Sequence, residues 1–345
     1  MVEFERAAVI LAGGSGERFW PLSTPERPKQ LLALSGSNKT LLEEAIDRAE
    51  PVFTREHIYI ATGPRIGPAV IESGLVAADH VLIEPEAKNT LGAIIWAVSE
   101  LRKRGYPDHA EMAILTADHA IGPGFQSTVE DALSLARFTE GLVTIGIRPV
   151  RPETGYGYIQ LGDHYGHGFK VKRFAEKPSV EAAGKYVASG DYLWNSGMFF
   201  WTIGAFLSEL LAHVPDAAAI LTDLAKDPSR FSELHRAPVD KALMEKSEKI
   251  YVVPAQFSWD DVGAWDSLER TNETNDEGNV LLGPVVEVDS TGCIVFSEGI
   301  SVGVLGVTDL IVVATSQGVL VCHKAEAQRV REILAKLDGV NGAER

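Results

Sequence analysis

Residues 6–16 read RAAVILAGGSG, an apolar run that passes directly into glycines. A short apolar run that ends in glycine is typical of a buried strand in a parallel sheet. Similar runs alternate with helical patterns as far as residue 147. Such alternation favours a sheet whose strands are mainly parallel and whose two faces are covered by helices. The predicted fold class is therefore α/β, with a mixed but mainly parallel sheet.

The periodicity also predicts the individual elements. In the first half, strands are expected at 6–11, 57–61, 80–83, 111–115 and 142–147, and helices at 41–49, 68–74, 90–104 and 128–139. In the middle, a hairpin is expected from 157–161 and 169–174, helices at 185–192 and 204–213, and a strand at 250–254. Short apolar runs between glycines predict a small β unit over 279–321, followed by an amphipathic helix near 330–337. The polar stretch 271–278 separates two predicted domains, 1–272 and 279–345.

The charge of the chain restricts the kinds of partner. The 345 residues include 32 Lys and Arg against 48 Asp and Glu, a formal net charge of -16. Such a field does not attract nucleic acid or anionic membranes. A phosphate ligand would need a local group of cations, a helix N-terminus or a divalent cation.

The compartment is predicted from what the sequence lacks. The N-terminus has neither the basic segment nor the apolar length of a signal peptide. No apolar run reaches the roughly 18 to 20 residues that span a bilayer. Cys293 and Cys322 lie in apolar stretches, where buried, inert thiols are expected and a disulfide is the alternative. These features predict a cytoplasmic protein.

The glycines that follow the first strand are a candidate anion site. Glycine lets the backbone approach an anion and present N–H groups to it. The loop continues into Arg18 and then, after a proline, Lys29, which supply local positive charge. A Walker A loop is excluded because Glu17-Arg18 stands where Lys-Ser/Thr is required, and a dinucleotide fingerprint is excluded by Phe19. A tight turn with surface cations remains the alternative.

The same region resembles a known family. LAGGSGER at 11–18, WPLS at 20–23 and PKQL at 28–31 are similar to the signature of sugar nucleotidyltransferases, closest to the mannose-1-phosphate guanylyltransferase branch. The resemblance implies a Rossmann-like, GT-A-like nucleotidyltransferase sheet and a C-terminal unit like a left-handed β-helix. It implies GTP and mannose 1-phosphate as substrates. It also implies nucleotide contacts from Leu11, Ala12, Gly13, Gly14, Ser15 and Gly16.

A second motif follows the third predicted strand. IEPEAKNT at 83–90 resembles the family segment EPxxRNTAPA, which implies that Glu84, Asn89 and Thr90 contact the base and ribose. A carboxylate can accept both N1–H and N2–H of guanine. Lys88 stands where the family has Arg, and Leu91-Gly92-Ala93 replaces Ala-Pro-Ala. From these residues alone, a capped surface helix is the alternative.

Two aspartates are candidate metal ligands. Asp118 closes an apolar strand, where the carboxyl edge of a parallel sheet faces the ligand crevice. On its own it could equally be a turn or cap residue, and an Asp-x-Asp motif is absent. The resemblance makes Asp118 a Mg²⁺ ligand. SWDDVGAW, starting at residue 258, resembles the family motif W-x-D-x-G and implies Asp261 as the second ligand. His119 is interpreted as structural.

Three further stretches resemble the family's sugar-phosphate motifs. They are GYGYI at 155–159, FAEKP at 174–178 and WNSGMF at 194–199. They imply that Gly157, Glu176, Lys177 and Asn195 bind the sugar phosphate. Without the resemblance, Glu-Lys-Pro at 176–178 would be interpreted as an ordinary surface turn and the aromatic stretch after Asn195 as core. VDKALME at 239–245 also fits the branch and is interpreted as packing and capping, with no chemistry assigned.

The implied reaction is in-line attack by a sugar-1-phosphate oxygen on the α-phosphorus of GTP. A phosphate monoester has a second pKa near 6, so the nucleophile is ionised at neutral pH and needs no general base. Mg²⁺ on Asp118 and Asp261 would bridge the two phosphates, while Arg18 and Lys29 would stabilise the departing pyrophosphate. Lys177 would orient the nucleophile.

Other interpretations stay open at this point. A different sugar 1-phosphate, or a uridylyl or thymidylyl relative, would keep most of the motifs. A catalytically silent nucleotide-sensing subunit is a more remote alternative, since Asp118, Lys177 and Asp261 are all present. Longer family members continue into an isomerase domain. Because this sequence ends at Arg345, a single activity is expected. The family resemblance also suggests a homodimer formed with the β-rich unit.

Overall fold

The computed structural model describes residues 5–14, 16–175 and 177–343, without the side chains of 338–343. The chain packs as two compact units. The first contains the residues up to Gly13 together with Ala45–Thr116 and Ile121–Ser258. The second contains Gly14–Glu44, Ala117–Ala120 and the residues from Trp259 onwards. Each unit therefore combines segments that are distant in sequence, and the domain division at 271–278 stays a prediction.

The regular elements follow the chain in a fixed order. The strands are β1 (Arg6–Leu11), β2 (Ile58–Thr62), β3 (Val81–Ile83), β4 (Glu111–Thr116), β5 (Ala120–Ile121), β6 (Leu142–Ile147), β7 (Tyr158–Tyr165), β8 (Gly168–Ala175), β9 (Tyr192–Thr202), β10 (Ile250–Pro254), β11 (Trp259–Asp260), β12 (Val280–Leu282), β13 (Val285–Val288), β14 (Ile294–Ser297), β15 (Val302–Leu305), β16 (Leu310–Thr315) and β17 (Gly318–His323). The helices are α1 (Leu41–Phe53), α2 (Gly67–Glu72), α3 (Asn89–Lys103), α4 (Phe125–Thr139), α5 (Val180–Ser189), α6 (Ile203–His213), α7 (Pro215–Asp223), α8 (Leu268–Thr271) and α9 (Arg331–Ala343). A π-helical turn occupies Asp240–Met244.

The first unit is built on one mixed sheet. Nine strands of the described chain form it, in the order β3-β2-β1-β4-β9-β6-β10-β8-β7. The block β3-β2-β1-β4 is parallel, and β10 is parallel to β6. β9 runs antiparallel to β4, β6 and β7, and β7 and β8 form the predicted hairpin. The predicted α/β class, with a mixed, mainly parallel central sheet, is confirmed.

Helices cover both faces of this sheet. Val9, Ile114 and Trp201, on three neighbouring strands, are fully buried in one core with α3, α6 and α7. α4 packs on β6, β9 and β10, and its described residues lie outside that core cluster, so it covers the opposite face. Burial on both faces is why these strands are continuous apolar runs in the sequence rather than alternating ones.

The helix predicted at 185–192 is wrong in its placement. α5 begins five residues earlier, where Ser179 Oγ accepts the N–H of Ala182, and it ends at Gly190 with φ +73°. Glycine in the left-handed region commonly terminates a helix. Tyr192 then begins β9, a strand of eleven residues that carries the aromatic stretch expected in the core. α7 was not predicted at all.

In the second unit, the described C-terminal strands stack mainly in parallel. β12, β14 and β16 pair in parallel, as do β13 and β15, and β17 returns antiparallel to β16. Their buried side chains pack with Phe19 and Trp265 of the same unit. The predicted C-terminal β unit is confirmed. Cys293 is buried and Cys322 half-buried, and both thiols are free.

Candidate functional site

The carboxyl ends of β1, β2 and β3 meet at one edge of the first unit's sheet. Thr62 Oγ1 donates a hydrogen bond to the backbone oxygen of Ala12 at 2.7 Å. The N–H of Glu84 donates to the backbone oxygen of Thr62 at 2.9 Å. The end of the predicted nucleotide loop in this unit, formed by Leu11, Ala12 and Gly13, is therefore linked to Glu84 through one residue. This is the edge where open α/β sheets bind ligands.

Glu84 is buried without a full set of partners. The residue is 6% exposed, and its Oε2 has no hydrogen-bond partner among the described residues. Burial removes the carboxylate from water and raises its pKa to about 7, while a hydrogen bond from the N–H of Lys88 opposes that shift. A buried acceptor without a donor costs about 1–3 kcal/mol, so N–H donors from a ligand would relieve the cost.

The start of α3 lies beside this edge. Asn89 is the first helical residue and has a φ of +66°, and its Oδ1 accepts the N–H of Thr90 at 2.8 Å. Thr90 Oγ1 accepts the N–H of Val239 at 2.8 Å. The two side chains thus bind neighbouring backbone instead of forming the simple helix cap that the sequence suggested. A non-glycine residue with positive φ is uncommon outside functional or strained positions.

The sugar-phosphate candidates also belong to the first unit. The N–H of Asn195 donates to the backbone oxygen of Gly157 at 2.8 Å, so these two predicted residues are neighbours. Lys177 is exposed and has a φ of +46°. Glu176 lies outside the described residues, as does Ser15 of the glycine-rich loop.

In the second unit, the glycine-rich loop is packed tightly against Lys29. Gly16 has a φ of +66°, and an added Cβ would lie 2.5 Å from Lys29 Cβ and 2.7 Å from Ser23 Oγ. Both the conformation and the space therefore require glycine here. Gln30 Nε2 donates to the backbone oxygen of Gly14 at 3.0 Å and holds the loop from the other side. Gly14 and Gly16 are therefore held by direct contacts with Gln30 and Lys29.

Lys29 joins the two predicted metal ligands. Its Nζ donates to Asp118 Oδ2 at 2.9 Å and to the backbone oxygen of Asp261 at 3.1 Å. The Lys29 side chain is only 7% exposed, whereas that of Asp118 is 30% exposed. Burial alone would raise the pKa of Asp118, but the charges of Lys29 and His119 and the hydrogen bonds to the carboxylate together outweigh burial, and the net shift of the pKa is downward. Asp118 is therefore a carboxylate at neutral pH, and Asp261 lies within reach of the same ammonium.

The chain around Asp261 is held in an unusual conformation. Val262 is fully buried and has a φ of +43°, which a β-branched side chain rarely adopts. Its N–H donates to Asp260 Oδ1 at 2.9 Å, and Asp260 is paired with Arg270. Arg18 Nη1 donates to the backbone oxygen of Gly263 at 3.2 Å. Arg18, a predicted catalytic cation, therefore binds the loop that carries Asp261.

His119 lies directly beside Asp118. Its Nδ1 accepts the N–H of Trp259 at 3.0 Å, which places the proton of a neutral ring on Nε2. Nε2 is 3.9 Å from Asp118 Oδ1. His119 therefore lies beside a predicted site residue, and its interpretation as structural stays a prediction.

Sequence reasoning missed three residues that hold these groups in place. Gln30 binds the loop backbone, Asp260 binds Val262, and Asp240 Oδ1 accepts the side-chain N–H of Asn195 at 2.7 Å. Each lies inside a sequence motif, Gln30 in PKQL, Asp240 in VDKALME and Asp260 in SWDDVGAW, so the signal was present. What the sequence could not provide was the partner, because each contact joins residues through the fold.

Comparison with known proteins now gives the family. Residues 7–278 match the nucleotidyl transferase family. The chain belongs to the nucleotidyl transferase family. Residues 283–337 match the MannoseP isomerase/GMP-like beta-helix domain, which corresponds to the C-terminal β unit. This nucleotidyl transferase is therefore an enzyme, and the predicted fold is that of its family.

Individual relatives are similar over nearly the whole chain. The mannose-1-phosphate guanylyltransferase of Escherichia coli K12 is 34% identical over 98% of this chain and 74% of its own length. The alginate biosynthesis protein AlgA of Pseudomonas putida is 35% identical over 96% of this chain and 71% of its own. A crystal structure from Thermus thermophilus, named as a mannose-1-phosphate geranyltransferase, has a TM-score of 0.90 at 34% identity and covers 97% of this chain and 99% of that one.

Two further findings concern metal and membrane. Nucleotidyl transferases of this family typically use a divalent metal ion. Among the described residues of this member, no group of three or more His, Cys, Asp or Glu side chains is arranged to hold one. No helix in the described part of the chain is long and apolar enough to cross a membrane.

Proposed function

We propose that this nucleotidyl transferase transfers GMP from GTP to α-D-mannose 1-phosphate, giving GDP-mannose and pyrophosphate. Relatives named mannose-1-phosphate guanylyltransferase, about one third identical over nearly the whole chain, support the choice of substrates. The observation that carries the chemistry is the buried Lys29 ammonium, bound to the Asp118 carboxylate and the Asp261 backbone. A buried cation beside carboxylates in an acidic chain suits a reaction between two phosphates.

The guanosine would be bound by the first unit. Glu84 would accept N1–H and N2–H of guanine. Its Oε2, which has no hydrogen-bond partner among the described residues, supports this role. Asn89 and Thr90, at the start of α3, would contact the base and ribose. Leu11, Ala12 and the glycine-rich loop as far as Gly16 would follow the phosphates with their backbone N–H groups.

The mannose phosphate would be bound by a second group of residues in the same unit. Asn195 and Gly157 are hydrogen-bonded neighbours, which supports a shared role in contacting sugar hydroxyls. Glu176 would accept sugar hydroxyls, and Lys177 would bind the phosphate and orient its oxygen for attack. The positive φ of Lys177 is consistent with a side chain placed for function.

Asp118 and Asp261 would hold the divalent ion, which we take to be Mg²⁺. Mg²⁺ usually takes one or two protein carboxylates and completes its shell with phosphate oxygens and water. Two carboxylates, with no group of three such ligands among the described residues, fit this coordination. The lowered pKa of Asp118 keeps it a hard anionic donor. When bound, the ion would neutralise charge on the nucleotide and sugar phosphates.

The remaining contributions of the chain to catalysis are electrostatic. The attacking phosphate oxygen is already ionised, so the chain needs no general base. Lys29 uses two of its three N–H groups on Asp118 and Asp261 in the described structure, which leaves one to bind the departing pyrophosphate. Arg18, fixed by Gly263, would stabilise the same leaving group. Arg18, Lys29, Asp118 and Asp261 are thus the proposed catalytic residues.

A panel of four NTPs against several sugar 1-phosphates tests this function. Pyrophosphate release should be greatest with GTP and mannose 1-phosphate. A different best sugar would replace the proposed acceptor, and a different best nucleotide would overturn the role of Glu84. Absence of turnover with every pair, while GTP still binds, would point to the silent nucleotide-sensing subunit.

We also propose a cytoplasmic homodimer and the domain division at 271–278. Exposed apolar side chains on β13 and β15 support a partner surface, with Val286 66% and Leu305 70% exposed. An acidic substitution at Leu305 should then convert a dimer to a monomer in size-exclusion chromatography with light scattering. A monomeric parent protein would remove this proposal.

A further inference from the structure

The segment of residues 237–240 binds the start of α3. Ala237 exchanges two backbone hydrogen bonds with it: its N–H donates to Lys88 at 3.3 Å, and its oxygen accepts the N–H of Leu91 at 3.2 Å. The N–H of Val239 then donates to Thr90 Oγ1 at 2.8 Å. With its oxygen already accepting, the Thr90 hydroxyl still has its own hydrogen to donate to a ligand. The segment therefore fixes the position and orientation of a proposed nucleotide residue.

The next residue of the same segment binds the proposed sugar residue. Asp240 Oδ1 accepts the Nδ2–H of Asn195 at 2.7 Å. Asn195 Oδ1 accepts the backbone N–H of Gly197 at 3.2 Å. A backbone N–H can only donate and an ionised carboxylate can only accept, so these partners fix which end of the Asn195 amide is oxygen. One N–H of that amide remains to reach a ligand.

The segment is anchored firmly between these two contacts. Val239 is fully buried, as are Leu243 and Met244 in the π-helical turn that begins at Asp240. These side chains belong to the same core as α3 and β9. π-helical turns are rare and occur frequently at functional sites. A shift at one end of such a buried segment cannot be absorbed by solvent, so it is transmitted to the other end.

We propose that residues 237–240, the bridging segment, couple the nucleotide and sugar-phosphate subsites of the first unit. Asp240 is a positioning residue for Asn195, and the backbone of Val239 positions Thr90. Nucleotide binding at Thr90 thereby stabilises the arrangement in which Asn195 binds the sugar, and the reverse holds by linkage. This inference deepens the proposed function and rests on it for the identity of the two ligands.

The coupling can be measured with α,β-methylene-GTP, which cannot release pyrophosphate. Calorimetry gives the Kd of mannose 1-phosphate with and without this analogue in the presence of Mg²⁺. In the parent protein the analogue should tighten binding about fivefold or more. Asp240→Ala should remove most of this factor, and Thr90→Val, which deletes the acceptor at constant size, should do the same. Combining the two should add little.

Three controls separate positioning from general damage. Asp240→Asn retains an oxygen that can accept from Asn195, so it should keep much of the coupling. Lys241→Ala changes an exposed neighbour and should leave the ratio unchanged. Hydrogen exchange of β9 should slow on analogue binding in the parent protein but not in Asp240→Ala. Unfolding temperatures identify any variant that has lost its fold. If Asp240→Ala does not fold, Asp240→Asn is compared with the parent protein instead.

The outcomes distinguish the inference from the proposed function. If an Asp240→Ala protein folds and keeps the full parental coupling, the bridging role is overturned. The proposed function is not affected by that result. A parent protein that binds the two ligands independently overturns it as well. If the NTP panel identifies another sugar phosphate, the proposed acceptor fails, and the same coupling is measured with that sugar phosphate.

Discussion

Asp260 receives the guanidinium of Arg270 on both carboxylate oxygens, with Nε 2.5 Å from Oδ2 and Nη2 3.3 Å from Oδ1. The same Oδ1 accepts the N–H of Val262, which has a φ of +43°. This ion pair therefore holds the left-handed turn that follows Asp261. Because Asp260 is largely buried, removing Arg270 leaves a carboxylate without its charged partner.

Arg270→Gln should raise the Mg²⁺ concentration needed for activity more than it lowers the rate at saturating Mg²⁺. The Mg²⁺ concentration for half-maximal activity should rise about tenfold, as is typical when a residue supporting a metal ligand is lost. Activity should largely return at high Mg²⁺. Arg27→Gln, which removes an exposed ion pair with Glu298, is the matched control and should leave the Mg²⁺ dependence unchanged. An unaltered Mg²⁺ dependence in Arg270→Gln would contradict this role.

Lys29→Met should impair pyrophosphate handling in both directions of the reaction. The rate of GDP-mannose formation and that of its pyrophosphorolysis should both fall, because the same ammonium binds the leaving group and the entering one. The lysine also lowers the pKa of Asp118, so the acid limb of the pH profile should move to higher pH. An effect confined to the affinity for mannose 1-phosphate would argue against this assignment.

Affinity for GTP should depend on the ionisation of Glu84. Its pKa of about 7 means that the side chain must lose a proton before it can accept from guanine. Affinity should therefore rise about tenfold per pH unit below pH 7 and level off above it. Calorimetry in buffers of different ionisation enthalpy should detect the released proton, whereas Glu84→Gln should bind weakly without this proton release. If the parent protein and Glu84→Gln released the same number of protons on binding GTP, deprotonation of Glu84 would be excluded as the cause of the pH dependence.

The raised pKa of Glu84 also has a consequence for stability. The folded protein holds this proton more tightly than the unfolded chain, whose carboxyl has the ordinary pKa of 4.5. The stabilisation is therefore present below pH 4.5 and is lost as pH rises through 7. At pH 8, Glu84→Gln should raise the free energy of unfolding, because a buried charge is removed. A lower stability of Glu84→Gln at pH 8 would contradict the destabilising effect assigned to this buried charge.

Gly16→Ala should destabilise the second unit beyond the cost of backbone strain. Gly74 has the same φ of +66° but no atom within 4 Å of an added Cβ, so Gly74→Ala measures the strain alone. Strain at such a φ costs about 1–2 kcal/mol. At Gly16 the contact with Lys29 Cβ should add about 1–3 kcal/mol in denaturant unfolding and should lower activity. Equal losses of stability in Gly16→Ala and Gly74→Ala would show that the contact with Lys29 Cβ adds no further cost.

Much of the fold could be predicted from local pattern. The apolar runs that became β1, β4 and β6 are buried on both faces, which is why the sequence alone identified them. The region around β9 could not be assigned this way, because a continuous aromatic run does not distinguish a strand from a core helix. Only the position of Gly190, in the left-handed region, marks the end of the preceding helix.

The sequence predicted which residues form the site better than it predicted which residues contact one another there. The motifs identified Lys29, Asp118 and Asp261, and the fold places the Lys29 ammonium in contact with both aspartates. Asp240 and Asp260 were missed because their contacts, with Asn195 and Arg270, exist only after folding. Neither contact is encoded by a spacing that a single sequence reveals.

The most direct test of the account is the single-turnover rate of GDP-mannose formation in Asp118→Asn and Asp261→Asn at saturating GTP, mannose 1-phosphate and Mg²⁺. Each substitution keeps the size of the side chain and removes the charge that holds the cation. Both rates should fall about a hundredfold or more. The unfolding temperature should change little in Asp261→Asn and should fall in Asp118→Asn, which removes the carboxylate paired with the buried Lys29 ammonium. A near-parental rate in either folded variant would contradict the proposal that these two carboxylates hold the ion on which phosphoryl transfer depends.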